Sequence, residues 1–184
     1  VIGASGKLTL ATSQVGKSVR VNFGSSITNA VVVLTGTTST TSDPFTLRVL
    51  TRDATGFTFM LDEWDYQDNA RSTSVTVNWV AVAAGVHRLA DGRLVEAGTT
   101  LANSQTGAVT FTAGFTAGPA VRTSVMSSND AAAVVSSARD VTATGFQARL
   151  QSEDARGGIP RPQELVGYIA FGIGGSAART VEVG

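Results

Sequence analysis

One long internal repeat limits the architecture of this chain more than any other feature. The segment 54–57, Ala-Thr-Gly-Phe, recurs at 143–146, and the residues that follow both copies stay in step, 89 positions apart (143 − 54 = 89). A period of this length exceeds that of solenoid repeats and approaches the size of a small domain. It predicts two tandem modules, the first in residues 1–100 and the second in 101–184.

Composition excludes several classes of partner and of chemistry. Of the 184 residues, 42% are hydrophobic, which is enough for packed cores. The 14 basic and 14 acidic residues cancel, so the chain lacks the basic footprint that nucleic acids and anionic membrane surfaces require. The absence of cysteine excludes disulfides, thiolate metal ligands and cysteine nucleophiles. No apolar run reaches 18 residues, so membrane insertion is not predicted.

The spacing of apolar residues predicts β-strands throughout. Segment 19–23 alternates apolar and polar residues, as a strand with one buried face does. The run 31–34, Val-Val-Val-Leu, is apolar throughout, which is typical of a strand buried on both faces. In 45–49, alternation places Phe, Leu and Val on one face. No segment has a 3.6-residue stripe, so the predicted fold class is all-β, with each module a small antiparallel β-sandwich of about six strands.

A β-hairpin is predicted at the C-terminal end of the first module. Asp91 and Gly92 are typical of a two-residue type I′ turn. Such a turn would place His87 opposite Glu96 as a cross-strand polar pair. This arrangement would give the single histidine of the chain a structural role.

Two glycine-containing segments resemble nucleotide-binding loops but lack the required context. Segment 11–18 ends like a phosphate-binding P-loop, with Ala11 in the place of its first glycine. Segment 172–177 resembles a dinucleotide-binding fingerprint. No helical pattern follows either segment, so no helix N-terminus would hold a phosphate. Since no Gly-x-Ser-x-Gly motif accompanies the histidine either, the sequence predicts that the protein is not an enzyme.

The segment 62–71 is the strongest candidate for a binding site. Because Phe57, Phe59 and Leu61 are expected in the core, alternation places Asp62 and Trp64 on the opposite, solvent-facing side of the strand. An indole ring offers a flat apolar surface to the C–H face of a sugar, and neighbouring polar groups can bond its hydroxyls. The predicted ligand-binding residues are Trp64, Asp62, Asp65, Tyr66 and Arg71.

Three other interpretations of this segment remain open. A bulge could re-phase the strand so that Trp64 closes the bottom of the sandwich. The carboxylates could hold Ca²⁺, although their spacing fits no EF-hand, and no other cofactor is predicted. Two of them could act as a glycosidase pair. These carboxylates are Asp62, Glu63, Asp65 and Asp68.

The chain resembles tandem H-type lectin-like repeats of large secreted bacterial proteins. The resemblance is carried by segments 115–121 and 141–146, by Glu-Trp-Asp-Tyr at 63–66 and by Ala-Asp-Gly at 90–92. It implies a six-stranded antiparallel sandwich, often assembled as a trimer, that binds N-acetylgalactosamine-type sugars at its end loops. It also implies that Trp64 belongs to the sugar site. The second module has Glu153 at the position of this tryptophan and therefore departs from the pattern.

Two functional hypotheses follow from these residues. The first is a non-catalytic carbohydrate-binding or adhesion module for cell-surface or extracellular glycans, secreted or on a virion surface. Its sites would be shallow and would gain strength through homo-oligomerisation, with a trimer favoured. The second is a structural or assembly module of a fibre, virion spike or secreted multidomain protein, without sugar binding.

Overall fold

The computed structural model describes residues 1–37, 44–64, 74–105, 107–152 and 162–175. Within these ranges the protein is all-β, which confirms the predicted fold class. The only helical element there is one turn of 3₁₀ helix at Thr12–Gln14. The thirteen strands in chain order are β1 (Gly3–Leu10), β2 (Val19–Asn22), β3 (Ala30–Thr37), β4 (Phe45–Arg52), β5 (Gly56–Glu63), β6 (Val75–Ala83), β7 (Gly85–Arg88), β8 (Leu94–Ala102), β9 (Gly107–Thr110), β10 (Ala120–Val125), β11 (Val134–Arg139), β12 (Gly145–Ser152) and β13 (Glu164–Gly172).

The strands form three sheets, and the same strand order occurs twice. In the first half of the chain the orders are β1-β6-β3 and β2-β5-β4. In the second half they are β8-β13-β10 and β9-β12-β11, with β7 added outside β8. Each strand of β1–β6 therefore has a counterpart in β8–β13. The sequence repeat is a repeat of topology.

One contact between strands joins the halves into a continuous sheet. Arg48 of β4 and Val125 of β10 form a parallel pair, the one pair between these two strands. This pair links β2-β5-β4 to β10-β13-β8-β7, so the central sheet has seven strands. The central sheet is consequently mixed, whereas the other two sheets are antiparallel.

The recurring Ala-Thr-Gly-Phe segment is a turn that the neighbouring strand approaches closely. A Cβ at Gly56 would collide with the carbonyl oxygen of Val21, and a Cβ at Gly145 would collide with that of Val109. The preceding threonine carbonyls accept the amides of Phe23 and Phe111, at 2.8 and 2.9 Å. Glycine is needed at both positions because only glycine leaves room for the adjacent backbone.

Each half has a buried aromatic cluster, and Phe57 and Trp79 of the first correspond to Phe146 and Tyr168 of the second at the 89-residue spacing. Phe23, Phe57, Phe59 and Trp79 pack with ring centroids 5.7 to 6.0 Å apart. In the second half, four rings pack with centroids 5.2 to 6.3 Å apart. These are Phe111, Phe115, Phe146 and Tyr168. Both clusters lie at separations at which aromatic pairs attract beyond simple burial.

Strand β3 is buried on both faces, as its continuous apolar run predicts. Val31, Val32 and Leu34 are all at most 6% exposed. One side of β3 contributes to the aromatic core of the first half. On the other side, Val31 lies so close to Gly167 of β13 that a Cβ there would be 3.1 Å from the valine methyl group. The second half therefore covers a strand of the first.

The predicted module boundary falls inside a strand, and the predicted hairpin register differs from the observed one. The boundary after residue 100 falls inside β8, which pairs along its length with β13, and the division into two domains stays a prediction. The predicted hairpin register is wrong by one residue, because Leu89 and Arg93 enclose a three-residue loop. Gly92 has φ +85°, the left-handed conformation of such loops. His87 is therefore opposite Val95 and not Glu96.

Candidate functional site

The structure describes two of the five predicted site residues. Asp62 is the penultimate residue of β5, and Trp64 follows the end of that strand. Both side chains are half-buried. The other three predicted residues, Asp65, Tyr66 and Arg71, lie outside the described residues, so their assignment stays a prediction.

Asp62 and Trp64 were expected to face solvent, and the structure leaves both of them partly exposed. The strand alternates as predicted, with Phe57, Phe59 and Leu61 fully buried. On the other face, however, the neighbouring strand β4 places Thr46 and Arg48 at 3% and 1% exposure. The second half of the chain covers β4 on this face, since the side chain of Arg48 bonds residues 128–132.

Arg48 is the main polar contact between the halves. Its guanidinium donates to the carbonyl oxygens of Asp130 and Ala132, both at 2.6 Å, and to Oγ of Ser128 at 3.2 Å. It also lies 4.0 Å from a carboxylate oxygen of Glu164, which is fully buried. These bonds compensate the cost of burying a charged group at the junction.

Glu164, at the start of β13, bonds the loop that contains the carbonyl groups bound by Arg48. Its Oε1 accepts the amide of Asp130 at 2.7 Å, and its Oε2 accepts the amide of Asn129 at 3.1 Å. The hydroxyl of Ser127 also donates to Oε2. The loop 127–132 is therefore held between a buried arginine and a buried carboxylate. We call these contacts the Arg48–Glu164 clamp.

A cleft lies beside the clamp, where β4 and β10 separate. Upstream of the pair between Arg48 and Val125, the two strands do not pair with each other. The resulting cleft has a volume of about 510 Å³ and is lined by residues of both halves. Its lining residues are Leu34, Gly36, Pro44, Phe45, Thr46, Leu47, Trp64, Thr123, Ser124, Val125, Val134, Val135 and Ser136. We call it the junction cleft.

Hydroxyl groups are the polar side chains of the junction cleft. Ser136 donates to Oγ1 of Thr123 at 2.9 Å, and Ser124 accepts the amide of Leu34 at 2.8 Å. The buried Oγ1 of Thr46 has no hydrogen-bond partner among the described residues. A buried hydroxyl without a partner is costly and marks a place where a bound molecule would supply the missing bond.

The two described carboxylates of the candidate segment point to opposite faces. Asp62 is half-buried on the face opposite the core, whereas Glu63 is 4% exposed on the core face. Consecutive residues of a strand cannot present both carboxylates to one sugar. Asp62 and Glu63 therefore point away from each other, and the carboxylate pairs that include Asp65 or Asp68 lie outside the described residues, so the glycosidase interpretation stays a hypothesis.

The other ionisable groups considered in the sequence have structural partners. His87 Nε2 lies 2.7 Å from the carbonyl oxygen of Ala83. Glu96 accepts the backbone amides of Thr112 and Ala113 at 2.8 and 2.6 Å, and the hydroxyl of Tyr168 at 2.9 Å. Burial, reinforced by the bond to Glu96, raises the pKa of Tyr168 above its usual value. Glu96 and Tyr168 therefore act in the packing of the second half.

The clamp residues were not identified from the sequence. Arg48 alternates with apolar residues in β4, which is also the pattern of an ordinary solvent-facing position. Glu164 begins β13 and has no local signal of burial. Arg48 bonds a residue more than 80 positions away in the sequence, and Glu164 bonds one about 35 positions away. Only these contacts identify the two residues.

Within the described ranges, no group of three or more histidine and acidic side chains could hold a metal ion. No helix in that part of the chain is long and apolar enough to span a membrane. Comparison of the chain with models of protein families, with curated proteins and with solved structures finds no match.

Proposed function

We propose that the protein is a non-catalytic carbohydrate-binding or adhesion module that recognises extracellular or cell-surface glycans. The observation that carries this proposal is the position of Trp64, which is half-buried in the wall of a cleft of about 510 Å³. Ligand pockets for small molecules typically have volumes of about 300–1,000 Å³. An aromatic ring beside hydroxyl groups in such a cleft suits a sugar, which is apolar on its C–H face and polar at its edge.

The absence of an assembled catalytic set among the described residues is consistent with a binding role. The described acidic pair of the candidate segment is divided between two faces, and the buried Glu96 and Glu164 are bonded within the fold. No described group combines a base, a nucleophile and an oxyanion site. Binding by shape and hydrogen bonding is the chemistry that these residues support.

We further propose that each half is an H-type lectin-like sandwich of about six strands and that the protein works as an oligomer outside the cell. The recurrence of one strand order in β1–β6 and β8–β13 supports the two-sandwich arrangement. One site per chain would bind weakly, and several sites in a homo-oligomer, such as a trimer, would bind a glycan-coated surface more tightly. Asp62, Asp65, Tyr66 and Arg71 are proposed as polar contacts around Trp64.

A glycan array tests this proposal directly. We expect the purified protein to bind a subset of immobilised glycans, with and without Ca²⁺, and Trp64→Ala to reduce that binding by about tenfold or more. Trp64→Phe is the matched variant, since it keeps an aromatic face and should retain part of the binding. Equal binding by all three proteins would refute a stacking role for Trp64. No binding by a folded protein would refute the carbohydrate-binding function.

A structural or assembly role is the second candidate, and an apolar groove favours it. The outer face of β6 and the outer face of β13 line a groove of about 260 Å³ that includes Val80, Ile169 and Phe171. Val80 is 44% exposed and lies beside other apolar residues, so the groove presents apolar surface to solvent. If this groove is an assembly surface, Val80→Lys should convert an oligomer into monomers in sedimentation experiments. An unchanged oligomeric state would exclude the groove as the contact.

A further inference from the structure

We propose that the junction cleft is a composite site for an uncharged sugar ring, bound by both halves of the chain at once. This inference rests on the proposed carbohydrate-binding function and specifies its site and ligand class. The predicted site residues all lie in the first half, whereas the cleft brings in side chains of β10 and β11. The second half, which lacks a counterpart of Trp64, would thus contribute to the same site and would not form a second one.

The geometry of the junction explains why a cleft exists there. Strands β4 and β10 pair at Arg48 and Val125 and nowhere else, so their upstream ends separate. The edge of β3 closes the space from one side, with Leu34 bonded to Ser124. On the opposite side, the clamp holds the loop that leads to β11. The opening is therefore bounded by fixed strands and is preformed for a ligand.

The lining of the cleft selects against charged ligands. None of the described residues that line it is ionisable. The guanidinium of Arg48, whose backbone neighbours Leu47 and Val125 line the cleft, is committed to two backbone carbonyls and one hydroxyl. A carboxylate or sulfate in the cleft would lose its hydration without gaining a counter-charge from these described residues, which is unfavourable.

The same lining suits a neutral pyranose ring. Trp64 and Phe45 provide aromatic surface on the side of the first half. Thr123 and Ser136 provide hydroxyls on the side of the second half, and each hydroxyl can both donate and accept. The buried Oγ1 of Thr46, without a partner among the described residues, would bond a sugar hydroxyl.

The decisive variants lie in the second half, away from the predicted site. Ser136→Ala removes a hydroxyl from the cleft, and Ser136→Phe fills the cleft. Ser137→Ala is the matched control, because Ser137 is the next residue of β11 and does not line the cleft. We expect Ser136→Ala to weaken binding of a neutral glycan by about threefold to tenfold, and Ser136→Phe to abolish it, while Ser137→Ala binds like the unmodified protein.

The experiment compares these proteins on an array that carries neutral, sialylated and sulfated glycans, with circular dichroism as the folding control. Ligand-induced stabilisation in thermal unfolding, with galactose and N-acetylgalactosamine as soluble probes, is the second readout. Binding of neutral glycans that is lost in Ser136→Phe and in Trp64→Ala supports the inference. Preference for sialylated or sulfated glycans overturns it.

The test separates failure of the inference from failure of the proposed function. Glycan binding that depends on Trp64 but is unchanged in Ser136→Phe leaves the carbohydrate-binding function in place and overturns the composite site. Absence of any glycan binding by the folded protein overturns both. Binding of an extended peptide in the cleft, if it is abolished by Ser136→Phe, would also overturn the sugar assignment.

Discussion

The two halves of the molecule have the same strand order but fill their cores differently. In the first half, Trp79 packs over Gly6, where a Cβ would lie 2.8 Å from the indole ring. In the second half, Tyr168 packs over Gly98, where a Cβ would lie 2.6 Å from the phenol oxygen. Both glycines make space for a large ring on the neighbouring strand. The backbone geometry is therefore shared, while the side chain that occupies the space has changed.

The change from tryptophan to tyrosine has a polar consequence in the second half. The Tyr168 hydroxyl donates to Glu96, which faces Ala170 on β13. The corresponding pair of the first half is Ala4 and Ala81, both without polar side chains. A buried tyrosine hydroxyl needs a partner, and Glu96 is that partner. The comparison shows that a repeated scaffold tolerates a buried polar pair where its bonds are complete.

The halves differ most at the residues that join them. Arg48 of β4 corresponds to Ser137 of β11, and Glu164 of β13 corresponds to Val75 of β6, at the 89-residue spacing. Neither member of the clamp has a charged counterpart in the other half. This asymmetry is physically required, because β4 meets β10 whereas β11 is at the edge of its sheet. The repeat is symmetric in its cores and asymmetric at its junction.

The largest expected effect is the loss of one member of the clamp. Glu164→Ala would leave the buried Arg48 without its nearby carboxylate and three donors of the loop without an acceptor. We expect the free energy of unfolding to fall by about 3–5 kcal/mol, measured by urea denaturation. The corresponding change in the first half, Val75→Ala, removes only apolar contact and should cost about 1–3 kcal/mol.

A double replacement of the clamp sharpens this comparison. Arg48→Met combined with Glu164→Leu leaves the same three loop donors without an acceptor but removes both buried charges, so it should be less destabilising than Glu164→Ala, in which a charge is left unpaired. If the double variant is as unstable as the single one, charge pairing does not explain the clamp.

The next effect concerns the shared turn. Gly56→Ala and Gly145→Ala should each lower the free energy of unfolding by about 2–3 kcal/mol, because the new methyl group meets a backbone carbonyl that cannot move freely. Thermal unfolding of the two variants should show similar losses, since the collision is the same in both halves. A large difference between them would contradict the equivalence of the two turns. Gly114→Ala, where a Cβ has open space, is the control.

A smaller effect is expected from the polar pair that only the second half contains. Glu96→Ala would leave the amides of Thr112 and Ala113 and the Tyr168 hydroxyl without an acceptor. The expected loss is about 2–3 kcal/mol, whereas Tyr168→Phe, which leaves the two amide bonds intact, should lose about 1 kcal/mol. Chemical denaturation measures both values. An equal loss in the two variants would show that the amide bonds contribute nothing.

The smallest effect distinguishes the two turns by their response to acid. In the first half, Asp53 bonds Thr55 and the guanidinium of Arg20, and these bonds hold the pKa of Asp53 well below its usual value. A lowered pKa stabilises the folded state above the unfolded pKa of about 3.9, and this contribution is lost as the pH falls below that value. Thr142 takes the same place in the second half and does not titrate in this range.

Asp53→Asn should therefore reduce the acid-induced loss of stability, and only slightly, because the pair is exposed. Hydrogen exchange of the amides of Thr55 and Gly56 between pH 5 and pH 3, compared with those of Thr144 and Gly145, would locate the effect. Equal acid sensitivity of the two turns would contradict this assignment.

A substantial part of the fold could be predicted from the sequence because it depends on local periodicity. Alternation correctly placed Phe57, Phe59 and Leu61 in the core. The apolar run in β3 correctly indicated burial on both faces. The hairpin register was missed because Asp91-Gly92 is compatible with both two- and three-residue loops, and one residue of slip exchanges the cross-strand partners.

The candidate site could be predicted only in part. Alternation placed Asp62 on the face of β5 opposite the core, and its half-buried side chain agrees with that placement, whereas Trp64 lies beyond the end of the strand. It could not show that the other half of the chain lies against this face. Nor could it identify Thr123 and Ser136, since these residues enter the cleft from strands about 60 to 70 positions further along the chain.

The sequence by itself determined the elements of this protein, because strand formation, core faces and glycine-dependent turns follow from the spacing of apolar residues and from the space available at a few backbone positions. Its repeat also determined that one strand order occurs twice. Only the tertiary structure decided how the two halves meet. The clamp and the junction cleft arise from contacts between residues far apart in sequence, and the burial of a charge such as Arg48 is favourable only when distant carbonyl groups are already in position to receive it.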